Sequence, residues 1–346
     1  MTQSARHASV CTFLGITPGD YNGDFHALFD NDSIATGPFN GRLLAWINNR
    51  LSASLTNLPG AMAAYAATRG AASWNDLGDM GLTSNATTLA MSRNVYANGG
   101  ALYADEMPIL DTFFAGMTTD SLAAKMDRLY VFGLRDSVAT RTSLYGGQLC
   151  TVTGTPTHTP GTGYTALGRG SATGYLRTGF IPLTDGVTFT TNAAHASVWA
   201  LDNLADTSAN DLGATGSTNT HAVLMVSRNA SDGLQGAMNN ATAGVANGSV
   251  ADSRGHTIYT RRAASGAGAV ALLKDGAPVT TVTTPAVARA PVEVFIGVRN
   301  NNGSAAGSDV SRGLFCASLG GDLSDANALA FYGRLGTLKT ALAALA

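Results

Sequence analysis

GHTIYTRR (255–262), AVALLKDGAPVTTV (269–282), VEVFIGVRNNNG (292–303), RGLFCASLG (312–320) and DLSDANALAFYGRL (322–335) follow one another in the last third of the chain, and they decide the fold. In the second segment Val270, Leu272, Val279 and Val282 alternate with small or polar residues, and Lys274-Asp275-Gly276 interrupts the run. Asp-Gly supplies the positive φ of a tight hairpin turn, so two antiparallel strands are expected. In the third, Val292, Val294, Ile296 and Val298 share one face at period two, while Glu293, Phe295, Gly297 and Arg299 take the other. A single large aromatic, Phe295, marks that second face as half covered. The Asn300-Asn301-Asn302-Gly303 run ends the strand, because Asn and Gly tolerate left-handed backbone. GLFCASLG is one more strand. Ser324 is the N-cap expected for a closing helix that carries Leu329, Phe331, Tyr332, Leu335 and Leu338.

The composition agrees with a chain of short strands and turns. Of 346 residues only 13% are charged, about half the usual share, and 41 are glycine. A net charge of −2 gives no electrostatic case for nucleic acid. No apolar run is long enough for a membrane span, and the N-terminus lacks the apolar core of a signal peptide. Cys11, Cys150 and Cys316 are far apart and odd in number, so reduced, buried thiols made in a reducing cytoplasm are expected.

Upstream, residues 1–37 read as loop. Asp and Asn alternate there as in a calcium loop, but the required Gly and Glu are not at the EF-hand spacing. Leu43, Leu44, Trp46, Ile47 and Leu51 mark one helix, and 58–70 a second, begun at Pro59 and ended at Gly70. LAMSRNVYANGG (89–100) predicts a helix stopped by Asn98-Gly99-Gly100. Leu110, Phe113, Phe114 and Met117 stripe another. Leu122, Met126, Leu129, Tyr130 and Phe132 predict a further helix over 118–134, capped by Thr119 or Asp120. At Gly146-Gly147 the texture turns to Thr, Gly and Pro, and short strands follow at regular spacing. The expected fold is mainly β, an antiparallel β-sandwich with an α-helical N-terminal part. It divides into a helical attachment module (1–82), a helical connector (83–145) and the sandwich with its terminal helix (146–346).

GRGSATGYLRTGFIPLT (168–184), NAAHASVWAL (192–201), GHTIYTRR, LLKDGAPV, VFIGVRNNNG and LGGDLSDANALAFYGRLGTL (319–338) stand in an order that resembles the concanavalin A-like, laminin-G-like jelly rolls of bacteriophage structural proteins. AAKMDRLYVFGLRDSVATRTSLYG (123–146) resembles the helical lead-in of such sandwiches in tail and fibre proteins, and 19–51 another recurrent tail module. One departure is Asn327, where an acid is usual. The resemblance implies a homotrimeric tail-fibre or spike subunit located in the virion. Residues 1–82 would attach it to other tail or capsid proteins, and its sandwich would bind host-surface glycan. A purely structural decoration protein is the alternative, and a glycan depolymerase the third reading.

Chemistry is sparse in the residues themselves. Glycan cleavage on a sheet needs two close carboxylates, and Glu293 is the only acid on its strand. No His-x-x-x-His or Gly-x-Ser-x-Gly occurs, and His195 and His256 read as hydrogen-bonded rim residues. No enzyme activity, metal or cofactor is expected. Sugars present hydroxyls over flat apolar faces, so the candidates for a binding site are Asn300, Asn301 and Asn302 in one loop, Trp199 and Asp202 near another, and Arg261 at a strand end.

Overall fold

The computed structural model describes residues 54, 56, 85–103, 105–169, 173–205, 210–217, 222–241, 245–307 and 311–346. The expected loop, calcium-like turn and two helices before residue 83, and Cys11, lie outside the described residues. What is described falls into two compact units. The smaller holds helix α1 (Ala86–Ala97), with Met91 and Val95 buried. Asn85 starts it, its Oδ1 accepting from the N–H groups of Thr87 and Thr88 at 2.9 and 3.3 Å. The same unit takes in the first residues of α2 (Met107–Thr119), whose buried Phe113, Phe114 and Met117 belong to the larger unit.

The larger unit is mainly β, in two layers. One sheet runs in the order β13 (Ala277–Val282), β12 (Val270–Lys274), β11 (Gly255–Arg261), β6 (Ala194–Ala200), β17 (Arg312–Gly320). The far edge of β17 is shared by β1 (Met126–Val131) and β4 (Gly163–Leu167), with β3 (Thr157–Thr159) outside β4. The second sheet runs β2 (Thr151–Gly154), β5 (Gly174–Arg177), β14 (Phe295–Ile296), β7 (Leu212–Thr215), β8 (Ala222–Val226), β9 (Gly233–Asn240), β10 (Val245–Ser249). The short β15 (Arg299–Asn301) lies parallel to β7 and pairs with β16 (Ser304–Ala306). A bridge, Leu167 to Gly174, links the two sheets, and the one-turn helix α3 (Pro182–Asp185) follows β5. Alternate residues of both form one core: Ala196, Val198, Tyr259, Leu272, Ala317 and Leu319 from the first, Leu176, Leu212, Val223, Met225 and Met238 from the second. Burying each large aliphatic among them contributes roughly 1.5–3 kcal/mol.

Several local expectations meet the structure directly. Asp275 and Gly276 take φ of +50° and +79°, turning β12 into β13. Ser324 caps α4 (Asp325–Ala343), and Asn327 completes a capping box despite not being an acid. Its Oδ1 accepts from the Ser324 N–H at 3.3 Å, while its own N–H donates to Ser324 Oγ at 3.1 Å. An amide oxygen serves as well as a carboxylate here.

Others are corrected. Residues 118–134 are not a helix. Ser121 at φ +58° ends the preceding turn, a short 3-10 turn follows, and 126–131 become β1. Leu122, Met126, Leu129 and Tyr130 fit a helical stripe, but Tyr130 and Phe132 also fit period two. Pairing with β17 buries that pair in the core, and tertiary contact overrides the local pattern. The sandwich therefore starts well before the double glycine. VEVFIGVRN is broken by Gly297 at φ +89° into β14 and β15. In α4 the buried stripe is Ala328, Phe331, Leu335, Leu338 and Leu342, while Leu329 is 59% exposed.

α4 roofs the outer face of the first sheet. Tyr332 stacks on Trp199 (5.4 Å, 14°), and the edge of Phe331 meets His256 (5.2 Å) and His195 (6.4 Å). Asp120, just past α2, pairs with Arg334 of α4 at 2.7 Å.

Candidate functional site

The second sheet has an outer face of its own, and cross-strand register aligns a row across it. Thr151 faces Arg177, Arg177 faces Phe295, Phe295 faces Gly213, Gly213 faces Leu224 and Leu224 faces Ala237. Their sequence neighbours Leu176, Ile296, Leu212, Ala214, Val223 and Met238 point into the core, so the row points away from it. Tyr175, one pleat along, packs its ring on Phe295 at 5.0 Å and 33°. The Arg177 guanidinium lies 5.7 Å from the centre of the Phe295 ring. It is 50% exposed and donates through Nε (2.8 Å) and Nη2 to Glu293, whose second oxygen accepts the Gly179 N–H at 3.0 Å. Phe295, Leu224 and Ala237 of the row are buried, so the face offers the half-buried Tyr175, the Arg177–Glu293 ion pair and the threonines of β2.

Arg299 stands on this face too. A Cβ built on Gly213 would lie 3.4 Å from the Arg299 Cβ, so Arg299 sits in contact distance of the Gly213 position. Burial holds the Arg299 guanidinium below its ordinary pKa. The turn between β15 and β16 carries the asparagine run. Asn300 is 2% exposed, donating to Glu293 O at 2.8 Å and accepting from Gly303 N–H at 2.7 Å. Asn301 accepts from Thr215 Oγ1 at 3.1 Å, and Asn302 is exposed at φ +48°. Asn300 is therefore a turn-former, while Asn301 and Asn302 border the face.

The other candidates sit elsewhere. Trp199 is sandwiched between Tyr332 and His256 beneath α4. Asp202 accepts the Gly313 N–H, and its carbonyl accepts from Ser253 Oγ at 2.7 Å. Arg261 is fully buried. Nε donates to Met238 O at 2.6 Å, Nη1 to Ala263 O and Ala264 O, and Nη2 to Asn240 Oδ1 and Thr284 O. All five of its N–H groups are used within the chain, leaving none for a ligand.

The two strand histidines are not rim residues, which corrects the sequence expectation. Both are fully buried under α4. His195 Nδ1 donates to Gly321 O at 2.5 Å and Nε2 accepts from Ser318 Oγ at 3.0 Å, with Ser197 donating in turn to Ser318 at 2.6 Å. His256 has no hydrogen-bond partner at either nitrogen among the described residues. Burial depresses their pKa values to about 4 and about 3 respectively. Cys150 and Cys316 are buried and free, and burial pushes the Cys150 thiol up to about 12. At the strand ends, Arg312 Nε lies 2.9 Å from Asp211 Oδ1 in a pair 2% and 0% exposed. Among the described residues no cluster of three metal-ligating side chains occurs.

Sequence reasoning missed Tyr175, Arg177 and Arg299 because nothing local marks them. Only register brings them to Phe295.

No family model and no curated protein matches the chain. Among solved structures, a Trypanosoma rangeli sialidase in complex with 2,3-difluoro-KDN aligns at 10% identity and TM-score 0.44, over 67% of this chain. The chain spans only 40% of that sialidase. Domain 4 of a GH43 extracellular arabinanase from Geobacillus stearothermophilus, in complex with arabinotriose, aligns at 16% identity and TM-score 0.40, covering 60% of this chain and 97% of that domain. The binding domain of botulinum neurotoxin DC, in complex with SialylT, aligns at 10% identity and TM-score 0.41, covering 61% and 52%. At these TM-scores neither ligand nor reaction carries over. The expectation that this chain has no enzyme activity is nevertheless withdrawn. The structures it resembles include sialidases and part of an arabinanase.

Proposed function

We propose that the chain binds glycan through the outer face of its second sheet. The observation that carries this is the half-buried Tyr175, seated on the buried Phe295 ring and edged by the half-exposed Arg177 of the Arg177–Glu293 ion pair. A sugar ring lays its C–H face on an aromatic while its hydroxyls reach flanking charged and amide groups, and both are present here. Asn301 and Asn302, bordering the face, supply further amide groups. A glycan array probed with the full chain tests the reading. Binding to at least one glycan is expected, with a loss of tenfold or more in Tyr175→Ala. Undiminished binding by that variant moves the site elsewhere.

For the setting, we infer a virion appendage subunit whose sandwich is of the concanavalin A-like kind. What supports it is the order of segments from 168 to 338, together with 123–146 and 19–51, and the low charge of the chain. Labelling the chain in purified particles tests the placement. The outer face of the second sheet must then be distal and free. If it is pressed against neighbouring subunits, the purely structural role takes its place.

A further inference from the structure

Arg299 is anomalous on this face. Its Nε is sealed from solvent, and no described residue gives its guanidinium a hydrogen bond or an ion pair. A half-buried charge without a partner is unfavourable, and the chain has ways to avoid it: Arg261 and Arg312 are both buried and both partnered. Arg177, on the other side of Phe295, spends Nε and Nη2 on Glu293, and its Nη1 has no partner among the described residues. By register the two arginines bracket the aromatic: Arg177 pairs with Phe295, Phe295 with Gly213, and Gly213 with Arg299. Successive strands lie about 4.8 Å apart, so the span from Arg177 to Gly213 is about 10 Å, the width of one sugar ring with its substituents. Glu293, the acid held beside them among the described residues, is already engaged by Arg177 and the Gly179 N–H.

We infer that Arg299, with Arg177, forms an anion subsite, and that the glycan taken by this face is an acidic one whose carboxylate meets the Arg299 guanidinium while its ring lies on Tyr175. This rests on the glycan-binding reading above and goes beyond it by naming the ligand class. The planar guanidinium matches a carboxylate with two parallel hydrogen bonds, and its partial burial strengthens that contact. A neutral sugar would leave Arg299 unpaired beneath it.

The experiment compares uronic-acid and nonulosonic-acid oligosaccharides, each beside its carboxyl-reduced neutral form, in titrations with the full chain. The acidic member is expected to bind at least tenfold tighter for one pair or more, with that advantage shrinking as salt is raised. Arg299→Gln should abolish the preference, the acidic form losing at least tenfold and falling to the level of the neutral one. Arg299→Lys should keep part of it, and a thermal melt for each variant confirms that it is folded. Neutral and acidic forms bound equally by the unaltered chain would overturn the acidic subsite and leave glycan binding standing, as would a preference that survives Arg299→Gln. If no oligosaccharide, acidic or neutral, bound at all, both readings would fall together.

Discussion

At the scale of single residues, burial explains why similar side chains do different work. Arg261 and Arg299 lie within one sandwich, yet the first meets acceptors at every N–H and the second meets none among the described residues. Gly236 is fixed by a neighbour: a Cβ there would lie 1.5 Å from Tyr259 Cε2, and Tyr259 is itself anchored by its hydroxyl donating to Val226 O at 3.0 Å. Gly236→Ala should therefore cost at least about 2 kcal/mol, read as a lower midpoint in urea unfolding. The buried histidines make a second prediction. Both have folded pKa values below the ordinary 6.5, so the folded state binds fewer protons than the unfolded one. Their contribution is complete above pH 6.5 and falls as pH drops toward 4 and then 3. While both titrate, the loss approaches about 2.7 kcal/mol per pH unit. Between pH 6.5 and 5, above the carboxylate range, His256→Phe should roughly halve the slope of stability against pH in thermal melts.

At the scale of elements, local signals were legible and distant ones were not. The β12–β13 hairpin could be read because Asp275-Gly276 is a turn whatever surrounds it. The start of α4 could be read because a cap is made by residues three apart. Ser324→Ala should cost about 1 kcal/mol by removing that cap, seen as a drop in melting temperature. Gly276→Ala should cost more, since φ is +79° and the added Cβ would meet the Leu329 Cα of α4 at 2.8 Å. Strand β1 could not be read, because residues 122–132 satisfy two periods at once and only β17, nearly two hundred residues later, decides between them. The candidate site was illegible for the same reason. Its row draws on positions 151, 177, 213, 224, 237 and 295, and no spacing in the sequence announces that they meet. Of the residues singled out from sequence, Asn301 and Asn302 border that face. Trp199 and Arg261 are spent on the packing under α4 and on internal hydrogen bonds.

At the scale of the molecule, the two sheets divide the work. The first is covered outside by α4, while the second leaves its outer face to carry Tyr175, Arg177 and Arg299. The thiols belong to the interior of this whole, so Cys150 and Cys316 should resist alkylation by iodoacetamide until the sandwich unfolds, and mass measurement across a urea series would follow that. Strand β17 occupies the middle of the first sheet, with β6 on one side and β1 and β4 on the other. The ribosome therefore makes the two flanks long before the piece that joins them. A nascent chain stalled anywhere short of residue 312 would hold unzipped edges and a bare aromatic stripe, a prime substrate for chaperones and proteases. Closure of the first sheet consequently waits on β17, which slots in like a keystone.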